Sequence, residues 1–95
     1  MKKELKLSFK IFWTPSAQLD LKYWQKNNPR KVKRIKSLCE SISQNPVFGI
    51  GKPEKLKFLD GDIWSRRIDQ EHRIVYEIKT NQKIFIIQAR YHYYS

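Results

Sequence analysis

The chain has 95 residues, enough for one domain with a small core, and its aliphatic and aromatic content is sufficient for folding. Twenty Lys and Arg against nine Asp and Glu leave a net charge of +11. A field of that sign and size draws in polyanions, nucleic acid above all. The single cysteine, Cys39, excludes an intrachain disulfide and a thiolate metal cluster, and fits a reducing cytoplasm. No apolar run approaches the roughly 20 residues of a membrane span. The basic start MKKELKLSFKIF has its apolar part broken by Glu4, Lys6, Ser8 and Lys10, so it does not read as a signal peptide.

The first element in chain order is LSFKIFWT, where Leu7, Phe9, Ile11 and Trp13 alternate as in a strand. Thr14-Pro15 then starts a helix, with Thr as N-cap and Pro at the first helical position. Ala17, Leu21 and Trp24 give that helix its apolar face. Asn28-Pro29 stops it and caps a second helix, whose stripe is Val32, Ile35, Leu38 with Cys39, and Ile42. This placing makes Cys39 a core residue rather than a nucleophile. Arg30, Lys31, Lys33, Arg34 and Lys36 fill the other side of the helix, either as a solvated face or as one that tracks phosphates. NPVFGIGKPE, with two prolines and two glycines, is a loop.

From there the period turns to two. KLKFL, IWSRRID, HRIVYEI and KIFIIQARY read as four strands joined by short turns. The predicted architecture is α+β, in the order β-α-α-β-β-β-β. The last four strands form an antiparallel sheet with the helices on one face, and the first strand joins an edge or the sheet interior.

Register decides which face the arginines use, because a slip of one residue turns every side chain over. An odd turn after Ile68 sets Ile68 opposite His72 and Trp64 opposite Tyr76. Trp64, Ile68, Ile74, Tyr76 and Ile78 then share the core face, and Arg67 and Arg73 meet on the other. An even turn would mix arginines with core residues, and burying unpaired charge is expensive. A two-residue turn at Thr80-Asn81 then places Phe85, Ile87, Ala89 and Tyr91 on the core face. Gln88, Arg90 and His92 join the two arginines. His72 falls on the core side as a structural residue. The open face lies near GKPEKLK, which carries Glu54. A carboxylate, arginines and an imidazole around an anion-sized space can cleave RNA without a metal. Each has a plainer alternative: Glu54 as an exposed loop residue, Arg67 and Arg73 paired with Asp62, Asp69 or Glu71, and His92 as a polar strand end.

Four motifs stand in order: FWTPSAQLDLKYWQ, GIGKPEKLK, WSRRIDQEHRIVYEI and RYHY. Together, from about Phe9 to Tyr93, they resemble the YoeB/Txe branch of the RelE/ParE toxin superfamily. The resemblance implies a microbial RNase-like fold and the toxin of a type II toxin–antitoxin pair. It implies a ribosome-dependent mRNA endoribonuclease that needs no cofactor or metal. It further implies an antitoxin with an acidic C-terminal segment, the ribosome and mRNA as partners, possible homodimerisation, and a cytoplasmic location away from membranes. By position in the motifs, Glu54 matches the general base, Arg73 the phosphate-stabilising arginine, His92 the general acid and Tyr93 a substrate-orienting tyrosine. Lys52, Lys57, Arg66, Arg67 and Arg90 make up the basic set expected to bind RNA. The chain departs from the pattern in an N-terminal extension (residues 1–8 of a single toxin domain spanning 1–95), in Ile50 between the loop glycines, and in Tyr94-Ser95. A noncatalytic inhibitor of the gyrase-binding ParE type, or a ribosome- or RNA-binding module, is the competing function.

Overall fold

A computed structural model describes residues 8–91. Strand β1 (Lys10–Trp13) leads into helix α1 (Pro15–Asn27) and helix α2 (Pro29–Gln44). Strands β2 (Glu54–Lys55), β3 (Ile63–Arg67), β4 (Arg73–Lys79) and β5 (Lys83–Gln88) follow. The sheet order is β1-β5-β4-β3-β2. The α+β expectation therefore holds, and β1 takes an edge, parallel to β5, with Ile11 opposite Ile84 and Trp13 opposite Ile86. All other pairings are antiparallel. Except for Ser8, the N-terminal extension lies outside the described residues.

The helical hairpin starts as its sequence dictates. The Thr14 hydroxyl accepts a hydrogen bond from the Ala17 N–H at 3.2 Å, ahead of the proline at the first turn. Asn28 alone separates the helices. It caps through its backbone, donating its N–H to Trp24 O at 2.8 Å, and its side chain makes no capping bond. Ala17 and Trp24 of α1 and Ile35, Leu38 and Ile42 of α2 pack on Ile74, Tyr76, Ile84 and Ile86 of the sheet. Each of the leucine and isoleucine side chains contributes about 1.5–3 kcal/mol when fully buried.

The β3–β4 hairpin has the expected odd turn. Ile68 N–H donates to His72 O at 2.9 Å, Trp64 pairs with Tyr76, and Arg67 with Arg73. That register also pairs Arg66 with Ile74 and so turns Arg66 towards the helices. The β4–β5 hairpin corrects the predicted two-residue turn. Lys79 pairs with Lys83 around three residues, and Asn81 (φ 59°) and Gln82 (φ 56°) adopt the left-handed conformation. Ile84 and Ile86 therefore face the helices and are fully buried, in place of the expected Phe85 and Ile87. Phe85 lies on the opposite face, stacked on Phe12 with ring centroids 5.2 Å apart. A bulge then adds Ile87 to β5, because Tyr76 pairs with Ile86 but Val75 with Gln88. The extra residue restores the predicted faces at Gln88, which sits with Val75, and at Ala89, which is buried, but not at Tyr91, which was expected on the core face and is 50% exposed where the sheet ladder has ended. The strand predicted as KLKFL shortens to Glu54–Lys55, since the chain turns after Leu56, whose carbonyl accepts from Leu59 N–H at 3.2 Å.

Candidate active site

The face of the sheet away from the helices carries the candidate residues. Gly51 sets up their approach. Its φ of 84° suits glycine, and a Cβ there would lie 2.7 Å from Leu38 Cδ2. The Gly51 carbonyl accepts from Arg67 N–H at 2.7 Å, which ties the loop to β3. Three residues on, Glu54 opens β2 opposite Ser65. Ser65 in turn pairs with Val75, two residues along β4 from Arg73. Glu54 and Arg73 thus come from two different strands onto one face. Glu54 Oε1 lies 3.6 Å from Arg73 Nη1, which also donates to Ser65 Oγ at 3.3 Å. The carboxylate side chain is 58% exposed and the guanidinium side chain 14%. The separation is that of an ion pair rather than a hydrogen bond, and the carboxylate remains open to a ligand. Arg67, directly across from Arg73, is exposed on the same face. Lys57 and Lys52 are exposed in the adjoining loops, Lys52 in a left-handed conformation with φ 54°.

Two arginines leave the expected set. Arg66 is 0% exposed. Its Nη1 donates to Ser41 Oγ (2.7 Å) and Ile50 O (3.2 Å), its Nη2 to Asn45 O (2.7 Å) and Phe48 O (3.2 Å), and its Nε to the Tyr76 hydroxyl (3.0 Å). The Tyr76 hydroxyl in turn donates to Pro46 O at 2.6 Å. Arg66 is therefore an internal strut for the 45–50 loop, with no donor left for RNA. Its burial is affordable only because five acceptors surround it. Arg90 does not join the open face either. Its guanidinium carbon lies 3.5 Å from the ring centre of Tyr23 on α1 and 4.5 Å from that of Tyr91. His92 and Tyr93 lie outside the described residues.

Sequence reasoning missed Ser65, and it offered Asp69 only as a partner for Arg67 or Arg73, whereas Asp69 caps the turn and pairs with Lys31. Ser65 is wholly buried and aligns Arg73. Asp69 Oδ1 accepts from the N–H groups of Glu71 (2.8 Å) and His72 (2.6 Å), and Oδ2 pairs with Lys31 Nζ at 2.9 Å. The signal for it was an Asp three residues before the His, as in a side-chain-capped turn. Burial works to raise the Asp69 pKa, but Lys31 and the two N–H groups outweigh it, and the net shift is downward. Asp62 is likewise lowered, by bonds from Lys55 and from the Trp64 indole. Among the described residues no three of His, Cys, Asp and Glu gather to hold a metal ion, and no helix is long and apolar enough to cross a membrane.

This sheet, with its two-helix cover and its acid–arginine pair, has relatives. A family model described as the YoeB-like toxin of bacterial type II toxin–antitoxin systems matches residues 13–93. The chain belongs to the YoeB-like toxin family. Toxin YoeB of Escherichia coli strain K12 is 42% identical over 84 residues, covering 88% of this chain and 99% of that one. The YoeB dimer from Staphylococcus aureus superposes with a TM-score of 0.80 at 46% identity, over 90% of this chain and 98% of that one. The toxin in a YoeB–YefM complex from the same organism gives 0.78 at 47%, with the same coverage. The YoeB-like match includes Glu54 and Arg73, and the sequence positions of His92 and Tyr93.

Proposed function

We propose that the chain is a ribosome-dependent endoribonuclease that cleaves mRNA through the RNA's own 2′-OH. The observation that carries this reading is the meeting of Glu54 and Arg73, at 3.6 Å, on an open sheet face with Arg67 opposite. Membership of the YoeB-like toxin family supports it. In the proposed reaction Glu54, as carboxylate, removes the 2′ proton. The oxygen attacks the adjacent phosphorus, and the P–O5′ bond breaks. His92, as imidazolium, protonates the departing 5′ oxygen. The products are a 2′,3′-cyclic phosphate and a 5′-OH. Arg73 stabilises the charge that builds on the phosphate oxygens, with Ser65 holding its guanidinium. Tyr93 orients the substrate, and Arg67, Lys57 and Lys52 bind the RNA backbone around the site.

The residue before His92 in the sequence is tied to Arg73. Tyr91 carbonyl accepts the backbone N–H of Arg73 at 3.2 Å, and residue 92 is bonded to that carbonyl carbon. Every proton moves through a side chain, so the route requires no metal or cofactor. DNA lacks the nucleophile and is expected to be inert.

The net charge of +11 suits both the ribosome and an acidic partner. The YoeB–YefM complex and the YoeB dimer from S. aureus support an antitoxin partner and a homodimer for this chain as well, and the basic charge favours an acidic C-terminal segment on that antitoxin. Partners of this kind support a cytoplasmic location.

The test is primer extension on an mRNA under translation in a reconstituted system, with wild type, Glu54→Gln and His92→Gln. Wild type is expected to give ribosome-dependent cuts. Each variant is expected to lose about 10²–10⁴-fold in rate while still binding the ribosome. Stalled translation without cuts from any of the three would overturn the nuclease and favour a binding inhibitor.

A further inference from the structure

Past Gln88 the sheet ladder ends, and the backbone of residues 89–91 is held mainly by side chains. Asp20 Oδ2 accepts the Ala89 N–H at 2.9 Å, and the Trp24 indole donates to Ala89 O at 2.8 Å. Gln88 Nε2 donates to Arg90 O at 2.6 Å and Tyr91 O at 3.2 Å. The Tyr91 N–H donates to His72 Nδ1 at 2.7 Å. Tyr91 itself has φ 66°, a left-handed conformation that is strained for an aromatic residue and persists only where its surroundings enforce it. The neighbours His72 and Arg73 grip both sides of this residue. The His72 ring takes its N–H, and the Arg73 backbone N–H binds its carbonyl.

The His72 ring is well placed to hold on. Its backbone N–H is bound by Asp69, and its ring meets Trp24 edge-on with centroids 4.8 Å apart and Tyr91 at 5.4 Å. Its side chain is 13% exposed. With Nδ1 as the acceptor, the other ring nitrogen, Nε2, lies 3.8 Å from Glu71 Oε1.

We propose that His72 is a positioning residue of the nuclease: by accepting the Tyr91 N–H it fixes, beside Arg73, the strained residue that precedes His92 in the sequence. This rests on the reading of His92 as the proton donor. His72 does not touch the reacting atoms in this scheme. It acts through Tyr91.

Three variants of the full-length chain test it. His72→Phe keeps an aromatic ring against Trp24 but has no acceptor, and His72→Leu repeats the loss with a smaller side chain. His72→Asn places an amide oxygen near the position of Nδ1. The readouts are hydrogen exchange at the Tyr91 amide, the single-turnover rate of mRNA cleavage on programmed ribosomes, and ribosome affinity. H72F and H72L are expected to lose protection at Tyr91 and to cut about tenfold to a hundredfold more slowly with unchanged ribosome affinity. H72N is expected to keep the protection and to stay within about threefold of the wild-type rate. Wild-type cleavage by H72F or H72L, without the protection, would overturn the proposal. So would an H72N that slows as much as H72F although Tyr91 remains protected. If wild type itself makes no cut, the nuclease reading fails and the catalytic role of His72 fails with it, while the exchange data report separately on the Tyr91 hydrogen bond.

Discussion

Arg66 and Arg67 are adjacent in sequence and differ in everything the fold does with them. Alternation along β3 sends Arg67 to the open face beside Arg73 and Arg66 into the core. Arg66→Met would remove a buried cation and leave the carbonyls of Asn45, Phe48 and Ile50 without that donor. A loss of about 3–5 kcal/mol is expected, read as a lower urea midpoint. The open-face pair Arg67 and Arg73 was legible from period-two alternation together with the odd turn after Ile68. The fate of Arg66 was implied by the same alternation but hidden by chemistry, because an arginine faces a core only where acceptors wait for it. Those acceptors lie in a loop some twenty residues earlier, and nothing in SRR announces them. Arg90 has the same lesson: its stacking partner Tyr23 is on another element.

Turns set the limits of legibility among the elements. The β3–β4 turn was readable because an even count would have mixed charge into the core. The β4–β5 turn carries no such penalty. Lys83, Phe85 and Ile87 alternate with Ile84 and Ile86, so either register buries apolar side chains. The left-handed pair Asn81 and Gln82 decides the matter locally, and the bulge at Ile87 reverses the slip before Gln88. Asp69 governs the turn that delivers both His72 and Arg73, and it makes that turn sensitive to acid. Its folded pKa lies below the unfolded value of about 3.9. Its stabilisation is therefore complete above that value and is lost as pH falls through the lower folded value. Asp69→Asn is expected to be less stable than wild type at neutral pH, and the difference is expected to shrink below about pH 3.9. Thermal melts across pH 2–7 give the comparison.

At the scale of the whole molecule, the α+β class and the element order followed from the sequence, while the edge position of β1 did not. Pairing between distant strands depends on which edge remains available, and no local pattern encodes that. The core also has a built-in reporter. Burial pushes the Cys39 thiol up to about 12, with Glu40 adding to the shift, so the reactive thiolate is scarce in the folded state. Thiol-specific alkylation at pH 8 is expected to be slow on the native protein and fast in urea, with a midpoint that coincides with the loss of helical circular dichroism. Early labelling at low urea would instead reveal local opening of α2.

The parallel seam between β1 and β5 bears on how the chain meets the ribosome that makes it. Thr14 Oγ1 donates to the carbonyl of Ile87, 73 residues further along. The first strand therefore waits, without its sheet partner, for most of the chain to be synthesised. Residues 89–91, which lead to the proposed proton donor, emerge later still. Under the proposed function, a nascent chain therefore has neither the closed sheet nor the proposed acid until those residues have been made, so its site assembles only after residues 1–91 have been synthesised.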